Sequence, residues 1–456
     1  MTASEPAPPA TVPAPAPSPA CAVIADHCHA LLQHPALAGD TTLNDIVAQC
    51  GQPLRVLIVG DVSTGKSTLL NALVARPLAR TAFAETTSSV TWYHGPHLSA
   101  PALPDPSHRA VAVGFPLADR LLLGDSPGLN TLSDNPRETL RMMGGGDLSG
   151  AAAAFVCILD GGRVDHWADR LEELAALSAG PFDLVGNVVA VMSKIELVDE
   201  DADTIEHRVR GDTPVTFRFA GVNQRMAVAA RTGLVDRRTV AVLDALRSLP
   251  SSARWSVPSW DRVAAELSGR VPDADREAFE EAVGGPKPLP ELVRATTGMH
   301  DPADVAAVFE RMSRIGSLEA VLTDMADDAD LFTSTAALVR LRRLAARLRD
   351  EPAARVRATL AEVTRSPRYQ ALWPRAAARL LRHTPAGHGL SSGDLTTALR
   401  LLRGEPCGRH DTLAALARWT ARTDDPFTDS RSRTVAGFMA DTARRALEAD
   451  VEEKKL

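Results

Sequence analysis

An eight-residue segment, GDVSTGKS at positions 60–67, constrains this chain more than any other stretch of its sequence. The apolar run RVLIV precedes the segment, and the helix-forming stretch TLLNALVA follows it. A G-x-x-x-x-G-K-S motif between a strand and a helix predicts a P-loop, in which successive backbone N–H groups surround a phosphate at the N-terminus of a helix. Gly60 and Gly65 permit the tight backbone that such a loop requires. We therefore expect a nucleotide-phosphate site here.

Two side chains of this loop carry the predicted chemistry. Lys66 would reach the β- and γ-phosphates as a point charge, and Ser67 would bind Mg²⁺. Lysine is rare in this chain, because only positions 66, 194, 287, 454 and 455 of its 50 basic residues hold it. The planar guanidinium of arginine does not fit this role, which explains a lysine in the loop. The predicted nucleotide contacts of this segment are Gly60, Asp61, Val62, Ser63, Thr64, Gly65, Lys66, Ser67 and Thr68.

A second motif, DSPG at positions 125–128, follows an apolar strand. A carboxylate at the end of a strand can hold Mg²⁺ through water, so Asp125 is a predicted metal-site residue. The N–H of Gly128 is expected to contact the γ-phosphate. D-x-P-G resembles the third motif of GTPases more than the acidic pair of ATPases. Between the two motifs, Thr87, with Thr86 as the alternative, would close over the γ-phosphate and complete the Mg²⁺ ligands.

A third motif contains the second lysine. GTPases carry Asn/Thr-Lys-x-Asp after a strand, and the tetrapeptide that follows VVAVM in this chain is Ser193-Lys194-Ile195-Glu196. The lysine stem would cover the purine, and the Glu196 carboxylate would accept the guanine N1–H and N2–H groups. Both outer positions depart from the pattern, and glutamate adds a methylene. The alternative interpretation is that Lys194 is an ordinary loop lysine.

Short apolar runs separated by helical stretches occupy the chain from residue 54 to about 230. They predict a mostly parallel sheet with helices on both faces, as in an α/β P-loop GTPase domain. SVTWYH and RAVAVGF follow one another without a helix, so we expect one antiparallel edge strand. MAVAA is the final apolar run of the series, and AVAARTG predicts a base-contacting loop through Ala229, Ala230 and Arg231.

Helical patterns dominate the remaining sequence. LEAVLTDM places Leu318, Val321, Leu322 and Met325 on one helix face, and we expect an all-α bundle or stalk in the second half. Two further helices are predicted at 22–35 and at 41–50, the second with Thr41 or Thr42 as its N-cap. The predicted domains are a disordered Pro/Ala-rich tail (1–20), N-terminal helices that pack on the bundle (21–50), a GTPase domain (51–250) and a helical bundle (251–456).

Composition excludes several classes of protein. The net charge of −7 argues against nucleic-acid binding by the chain as a whole. The five cysteines show no CxxC pair, which predicts neither a disulfide framework nor a zinc site and suits a reducing cytoplasm. No apolar run approaches the roughly 20 residues that span a bilayer, and the N-terminal tract lacks the order of a signal peptide. We therefore expect a cytoplasmic protein whose membrane contact is peripheral.

One basic stretch stands out in this acidic chain. Residues 340–382 contain twelve arginines and three acidic residues. Such a stretch can mark a surface for an anionic membrane, at which Tyr369, Leu372 and Trp373 would anchor among the headgroups. The alternative is a solvated helix face that pairs with the acidic remainder of the chain.

The segments GDVSTGKSTLLNALV, AETTSSVTWYHGP and GDSPGL resemble the dynamin-like GTPases of actinobacteria, especially the isoniazid-inducible protein group. The resemblance is clearest over about 54–200. It implies a GTPase domain on a helical bundle, GTP as the substrate, dimerisation of GTPase domains across the nucleotide and membrane remodelling. The expected catalytic residues are Lys66, Ser63 and Thr87, and Ser63 matches a family serine that helps to hold a charge-compensating cation or the attacking water. Val62 stands where the family often has a polar residue.

Three functional hypotheses follow. The first is a dynamin-like GTPase that works as a homodimer or hetero-oligomer at the inner face of the cell membrane. The second is a cytosolic GTP-dependent switch that binds protein partners. The third is a degenerate nucleotide-binding subunit paired with an active relative. GTP-driven self-assembly would favour the first, and binding without turnover would favour the third.

Overall fold

The computed structural model of the protein describes residues 17–78, 90–103, 106–127, 152–161, 167–178, 186–198, 200–212, 217–249, 259–383, 390–426, 428 and 430–453. The chain divides into two compact units. The first unit contains Gln52–Leu177 and Val188–Ala329, and the second contains Ala16–Gly51, Ser178–Asn187 and Asp330–Leu456.

A single sheet organises the first unit. The described strands are β1 (Leu54–Gly60), β2 (Thr91–His94), β3 (Arg109–Ala112), β4 (Leu121–Asp125), β5 (Ala154–Asp160), β6 (Val188–Ser193) and β7 (Arg218–Val222). They form one seven-stranded sheet in the order β3-β2-β4-β1-β5-β6-β7. The strands β4, β1, β5, β6 and β7 run parallel, and β1, β4 and β6 are buried along their whole length. The predicted, mostly parallel α/β sheet is confirmed.

The edge of the sheet differs from the expectation. Strand β2 pairs with β4 in the antiparallel sense, and β3 then pairs with β2 in the parallel sense. Two strands rather than one therefore oppose the direction of the other five. The absence of a helix between SVTWYH and RAVAVGF did not indicate how β3 would pair, because a connection of 14 residues, 95–108, separates β2 from β3.

The helices are numbered along the chain. The N-terminal pair is α1 (Pro19–Leu32) and α2 (Thr41–Cys50). The described helices of the first unit are α3 (Lys66–Val74), α4 (Trp167–Ser178), α5 (Ala202–Asp212), α6 (Gln224–Arg231), α7 (Arg237–Ser248), α8 (Trp260–Leu267), α9 (Asp273–Val283), α10 (Leu289–Ala295), α11 (Pro302–Ser313) and α12 (Ile315–Asp327). Those that follow are α13 (Ala329–Arg347), α14 (Asp350–Arg365), α15 (Pro367–Gln370), α16 (Trp373–His383), α17 (Ser392–Leu402), α18 (Arg409–Asp424) and α19 (Ser430–Glu453).

The run MAVAA, which was expected among the strands, lies in α6. Asn223 caps this helix, because its side chain accepts the N–H of Met226 at 3.0 Å. The last described strand is instead β7, whose sequence RFAGV is buried only over its last three residues. A short apolar run does not by itself distinguish a strand from a buried helix, and the alanines of α6 favour the helix.

The boundary between the units falls near residue 329 rather than near the expected 250. The helices α8 to α12 belong to the unit that contains the sheet. Phe279, Leu292 and Phe309 from these helices share a buried core with Val242 and Leu246 of α7. Helical periodicity identifies such helices but does not specify their packing partners. The sequence-based prediction therefore assigned α8 to α12 to the C-terminal bundle. Helix α12 buries its predicted apolar face.

In the second unit, α1 packs against α14 and α15. Helix α2 is capped by the Asp40 side chain rather than by a threonine, because Asp40 accepts the N–H of Leu43 at 3.0 Å. The Arg340 guanidinium of α13 bonds to Asp45 at 2.8 Å and to the Gln49 carboxamide at 3.3 Å. This mostly buried cluster links α2 to the longer C-terminal helices.

Two of the three expected membrane anchors are core residues in the second unit. Tyr369 and Leu372 are buried, and the Trp373 ring stacks on Phe438 with a centroid distance of 5.7 Å. Apolar residues among arginines form the same pattern whether they face a bilayer or a protein core, so the sequence did not distinguish the two. Among the described residues, no helix has both the length and the apolar character needed to cross a membrane.

We expect Arg340→Ala to lower the free energy of unfolding by about 3–5 kcal/mol, because it leaves the Asp45 carboxylate without its buried guanidinium. Urea unfolding followed by circular dichroism measures this loss. The matched control is Arg355→Ala, which removes an exposed pair with Glu351 and should cost at most about 1 kcal/mol. Equal losses for the two variants would show that the Arg340 cluster does not stabilise the unit.

Candidate nucleotide site

The P-loop has the predicted position between β1 and α3. Gly65 is the residue before α3 and adopts a left-handed backbone with φ of 92°, and Ser63 is also left-handed with φ of 64°. The Lys66 ammonium donates hydrogen bonds to the carbonyl oxygens of Gly60 at 2.9 Å and Asp61 at 2.8 Å. The Thr64 hydroxyl also donates to the Asp61 carbonyl, at 2.8 Å. The loop is therefore folded around the lysine and is closed by its own carbonyl groups.

Asp125 lies beside this loop because β4 is the neighbour of β1 in the sheet, with Asp125 opposite Ile58. The Ser67 hydroxyl donates to Asp125 Oδ2 at 3.3 Å. Burial raises the pKa of Asp125 to about 6 and lowers the pKa of Lys66 to about 8. Asp125 Oδ1 is buried and has no hydrogen-bond partner in the described part of the chain. A hydroxyl beside a carboxylate oxygen of this kind is a donor set that fits Mg²⁺.

The SKIE tetrapeptide begins at the last residue of β6, the strand next to β5 in the sheet. The Ser193 hydroxyl is buried and donates to the Leu159 carbonyl at 3.2 Å. Lys194 adopts a left-handed backbone, and its ammonium bonds to Asp160 Oδ2 at 2.8 Å. Glu196 is only 6% exposed, and burial raises its pKa to about 7. Its Oε2 atom is buried and has no hydrogen-bond partner among the described residues.

Ala229 and Ala230 do not lie in a loop, contrary to the expectation. Both belong to α6, and Ala229 is fully buried. Arg231, at the end of α6, pairs with Glu310 and Glu319 and donates to the Ala72 carbonyl. Its guanidinium therefore connects helices within the unit.

The residues that follow β7, the last strand in the described part of the chain, are Asn223 and Gln224. The Gln224 side chain packs on the P-loop so closely that a Cβ atom on Gly65 would lie 2.1 Å from Gln224 Oε1. The Gln224 carboxamide is buried, and its Nε2 atom has no hydrogen-bond partner within the described ranges. Sequence reasoning missed these two residues because it took the following alanine-rich run as a strand. The dipeptide NQ directly after AGV was the available signal.

The structure therefore brings three of the predicted motifs to the carboxyl ends of β4, β1 and β6, which are parallel strands of one sheet with β5 between β1 and β6. Asp160 is opposite Ser193 in the sheet, and Ser193 is opposite Val222, which precedes Asn223. Val62 is half exposed at the tip of the P-loop. The predicted residues Thr86, Thr87 and Gly128 lie outside the described residues.

Comparison with known proteins tests this interpretation. Residues 55–194 match the family described as 50S ribosome-binding GTPase. The isoniazid-induced protein IniC of Mycobacterium tuberculosis, from the strains CDC 1551 and H37Rv, is 29% identical to this chain over 184 residues. The match covers 34% of this chain and 36% of the relative, so the chain spans little more than a third of the length of that protein.

Residues 55–194 of this chain carry a P-loop GTPase domain, and the chain resembles the dynamin-like GTPases. The predicted P-loop GTPase fold and the predicted resemblance are confirmed.

Solved structures with which this GTPase aligns include two of an oligomerised bacterial dynamin pair, whose description concerns long-range sensing and tethering of membranes. They are 10% identical, have TM-scores of 0.27 and 0.28, and cover 95% and 96% of this chain and 77% and 78% of their own. The bacterial dynamin GTPase LeoA from ETEC is 12% identical, with a TM-score of 0.25, over 95% of this chain and 88% of LeoA. Scores this low do not establish a shared overall arrangement.

Two adjacent glycines surround the Glu196 carboxylate of the GTPase domain. Gly284, which ends α9 with φ of 88°, would place a Cβ atom 2.9 Å from Glu196 Oε1. A Cβ atom on Gly285 would lie 2.9 Å from the Glu196 carbonyl oxygen and 3.0 Å from its Cγ atom. These glycines leave the space in which the longer glutamate side chain fits. The turn after α9 is therefore one wall of the site around Glu196.

We expect the affinity for GTP to fall as the pH drops below about 7, the pKa to which burial raises the Glu196 carboxyl. A protonated Glu196 loses acceptor capacity for the guanine N–H groups, so the affinity should fall about tenfold per pH unit below that value. Titration of a fluorescent GTP analogue between about pH 5.5 and 8.5 measures this change.

The control for the pH experiment is Glu196→Gln, which keeps the size of the side chain and cannot ionise. It should bind GTP more weakly at pH 8 and should retain only the pH dependence of the nucleotide phosphates. Identical pH profiles for the wild-type protein and the variant would exclude Glu196 as the group that titrates.

Proposed function

We propose that this protein is a dynamin-like GTPase that binds and hydrolyses GTP with Mg²⁺, and that dimerisation of its GTPase domains is coupled to peripheral membrane binding or remodelling. The observation that carries the proposal is the convergence of Lys66, the Ser67–Asp125 pair and Glu196 at the carboxyl ends of parallel strands in one unit. Ligands of open α/β sheets bind at this end of the strands. A P-loop alone does not choose a purine, and the buried acceptor at Glu196 favours guanine.

The phosphate half of the site is assigned to the P-loop. Lys66 already points its ammonium into the loop, where a β- or γ-phosphate oxygen would replace carbonyl partners. Ser67, Asp125 and Thr87 would hold Mg²⁺, with Asp125 acting through water. When bound, Mg²⁺ supplies charge neutralisation to the phosphate oxygens. Because Lys66 is buried, its attraction to a phosphate is weakly screened by solvent.

The base half is assigned to the loops after β6 and β7. The Lys194 stem would cover one face of the purine, and its ion pair with Asp160 orients that stem. Glu196 would accept the N1–H and N2–H groups of guanine. The Gln224 carboxamide adds a hydrogen-bonding group beside Gly65, and its unpartnered Nε2 atom suits an acceptor on the nucleotide.

Hydrolysis is expected to be slow in an isolated protomer. Position 129, after the D-x-P-G motif, is leucine, so no glutamine there orients the attacking water. Val62 places an apolar, half-exposed side chain on the P-loop next to Ser63. Ser63 and Thr87 are the residues assigned to the water or to a charge-compensating cation, with a second protomer completing the site. The same observations support the alternative of a degenerate nucleotide-binding subunit with little turnover that partners an active relative.

The basic stretch at 340–382 is the proposed membrane surface. Two arginines of this stretch are not on the surface. Arg340 and Arg379 are buried, and Arg379 lies over the Phe332 ring. Six other arginines are exposed and have no ion pair among the described residues: Arg342, Arg349, Arg357, Arg365, Arg368 and Arg382. Exposed basic groups contribute about 1 kcal/mol each near an anionic bilayer. Contact through arginines would be electrostatic and peripheral, without inserted aromatic side chains.

The decisive experiment measures GTP and ATP binding and hydrolysis across a series of protein concentrations. We expect preference for GTP and a turnover per molecule that rises with protein concentration, because dimerisation completes the site. GTP binding without turnover would favour the nucleotide-binding subunit. Equal affinity for ATP would show that Glu196 does not recognise guanine, and monomeric behaviour in every nucleotide state would favour a cytosolic switch.

We expect Lys66→Ala to weaken GTP binding by at least about tenfold to a hundredfold, since a hydrogen bond to a charged group contributes about 1.5–3 kcal/mol. Isothermal titration calorimetry measures the loss. The control is Arg294→Ala, which removes an exposed cation of the same unit far from the P-loop in sequence. Unchanged affinity in Lys66→Ala would remove this loop from the nucleotide site.

We expect the protein to pellet with liposomes that contain phosphatidylserine and to remain in solution with neutral phosphatidylcholine. The double variant Arg357→Glu/Arg365→Glu should reduce anionic-lipid binding at least about tenfold, because it replaces two attractive groups by two repulsive ones. Arg294→Glu makes the same kind of change in the first unit and serves as the control. Equal binding to anionic and neutral lipid, and equal binding by the double variant and the wild-type protein, would contradict the proposed surface.

A further inference from the structure

A groove runs along α19 in the second unit. Its volume is about 1030 Å³, close to the upper limit of the range of about 300–1,000 Å³ that is usual for small-molecule sites. It is lined by residues of α14 to α19 and of the connection between α17 and α18, all of which belong to the second unit. On α19 the lining extends from Arg433 to Asp450, which is about 25 Å at 1.5 Å per residue. The groove is therefore large and long enough for an elongated ligand.

Part of the groove lining is apolar. Leu401 and Leu402 of α17 line it, together with the stacked rings of Trp373 and Phe438, each of which is partly exposed. Ala446 continues this lining along α19. A ligand with a hydrocarbon chain would remove this apolar surface from water, and that removal is favourable.

A glycine of α19 leaves open space in the groove. Gly437 lies in the interior of the helix, where glycine is unfavourable unless close packing requires it. At Gly60 and Gly124 the protein supplies such a requirement, because a Cβ atom would lie 2.9 and 2.8 Å from a neighbouring atom. At Gly437 a Cβ atom would meet no neighbouring atom of the described chain within 4 Å. The space beside Gly437 is therefore open to a ligand.

The groove also presents a positive charge that is not neutralised. The acidic residues that line it are already paired, Glu405 with Arg403 at 3.2 Å and Asp450 with Arg409 at 3.5 Å. Arg445 lines the same groove and is exposed, and its side chain has no ion pair or hydrogen bond within the described ranges. A guanidinium beside an apolar surface complements a ligand that carries a negative group at one end.

We propose that this groove binds a single-chain anionic lipid of the fatty-acid class, with its carboxylate at Arg445 and its chain along Gly437, Trp373 and Phe438. Arg445 lies about 12 Å along α19 from Gly437, and one acyl chain spans about 15 Å, half of the hydrocarbon core of a bilayer. The inference does not rest on the nucleotide site, which belongs to the first unit. It is also distinct from the proposed membrane surface, because none of the six exposed arginines of that surface lines the groove.

The test uses the full chain without nucleotide or vesicles and titrates it with cis-parinaric acid, a fatty acid whose fluorescence rises when it leaves water. We expect saturable binding at one site per chain and displacement by oleate at concentrations below micelle formation. Methyl oleate should compete at least about tenfold more weakly, because it has no charge for Arg445. Equal competition by the acid and its ester would contradict the assigned role of Arg445.

A second measurement locates the bound fatty acid on the wild-type protein. Cys407 lines the groove and is partly exposed, whereas the other four cysteines are buried. Saturating oleate should therefore slow the alkylation of Cys407 by N-ethylmaleimide, followed by peptide mass spectrometry. An unchanged rate at Cys407 while parinarate binds would place the fatty acid elsewhere and overturn the proposal.

Variants test the two halves of the groove. Gly437→Phe places a ring in the open space, so it should abolish parinarate binding without lowering the midpoint of thermal unfolding. Arg445→Gln should weaken binding at least about tenfold. The matched control is Arg444→Gln, which changes an exposed neighbour on α19 that pairs with Asp441 and does not line the groove.

Two outcomes of the variant series would overturn the proposal. One is parinarate affinity that is the same in Gly437→Phe and the wild-type protein. The other is self-association of the wild-type chain that Gly437→Phe removes and oleate does not affect, which would show that a second copy occupies the groove. Because the protection of Cys407 is measured on the wild-type protein, a variant that fails to fold leaves that test intact.

Discussion

The first unit depends on a pair of opposite charges that are buried together where the P-loop meets the sheet. Lys66 and Asp125 are each less than a tenth exposed, and an isolated ion in such a place would be strongly unfavourable. Hydrogen bonds offset this cost of burying the two charges. The carbonyl groups of Gly60 and Asp61 point toward the ammonium, and Ser67 bonds to the carboxylate. The arrangement exists only because β1 and β4 are parallel neighbours, which places Asp125 opposite Ile58. The strand order, the loop conformation and the buried charges of the site therefore depend on one another.

The parts of the fold that were predictable from sequence are those set by short-range chemistry. A glycine-lysine-serine loop between a strand and a helix has one well-known geometry, so Gly65, Lys66 and Ser67 could be placed without tertiary information. The predicted base motif at the end of β6 was identified from its pattern in the same way. The packing of α8 to α12 was not predictable, because an amphipathic helix indicates only that it has an apolar face and not which surface covers that face. Tyr369 and Leu372 were assigned to a membrane for the same reason.

Long-range contacts also explain the residues that sequence reasoning missed or found irregular. Gln224 was missed because β7 is only partly buried, so its sequence gives a weak strand pattern. Glu196 looked like a departure from a shorter aspartate, but the structure provides room for the extra methylene in Gly284 and Gly285, almost ninety residues later in the chain. The longer side chain at position 196 is therefore accommodated by the glycine turn that follows α9. No pattern within either segment alone indicates that they meet.

The scarcity of lysine acquires a physical meaning in this structure. Arginine is used where one cation joins several groups, as when Arg231 pairs with Glu310 and Glu319 and also bonds to the Ala72 carbonyl. A planar guanidinium with five donors suits such contacts. The described lysines instead direct a compact ammonium to one or two oxygen atoms: Lys66 to two P-loop carbonyls, Lys194 to Asp160, and Lys287, on the surface, to the Val198 carbonyl. Lys66 is the buried one among these three, and its loop is the position in this arginine-rich chain where a point charge on a flexible stem fits and a planar guanidinium does not.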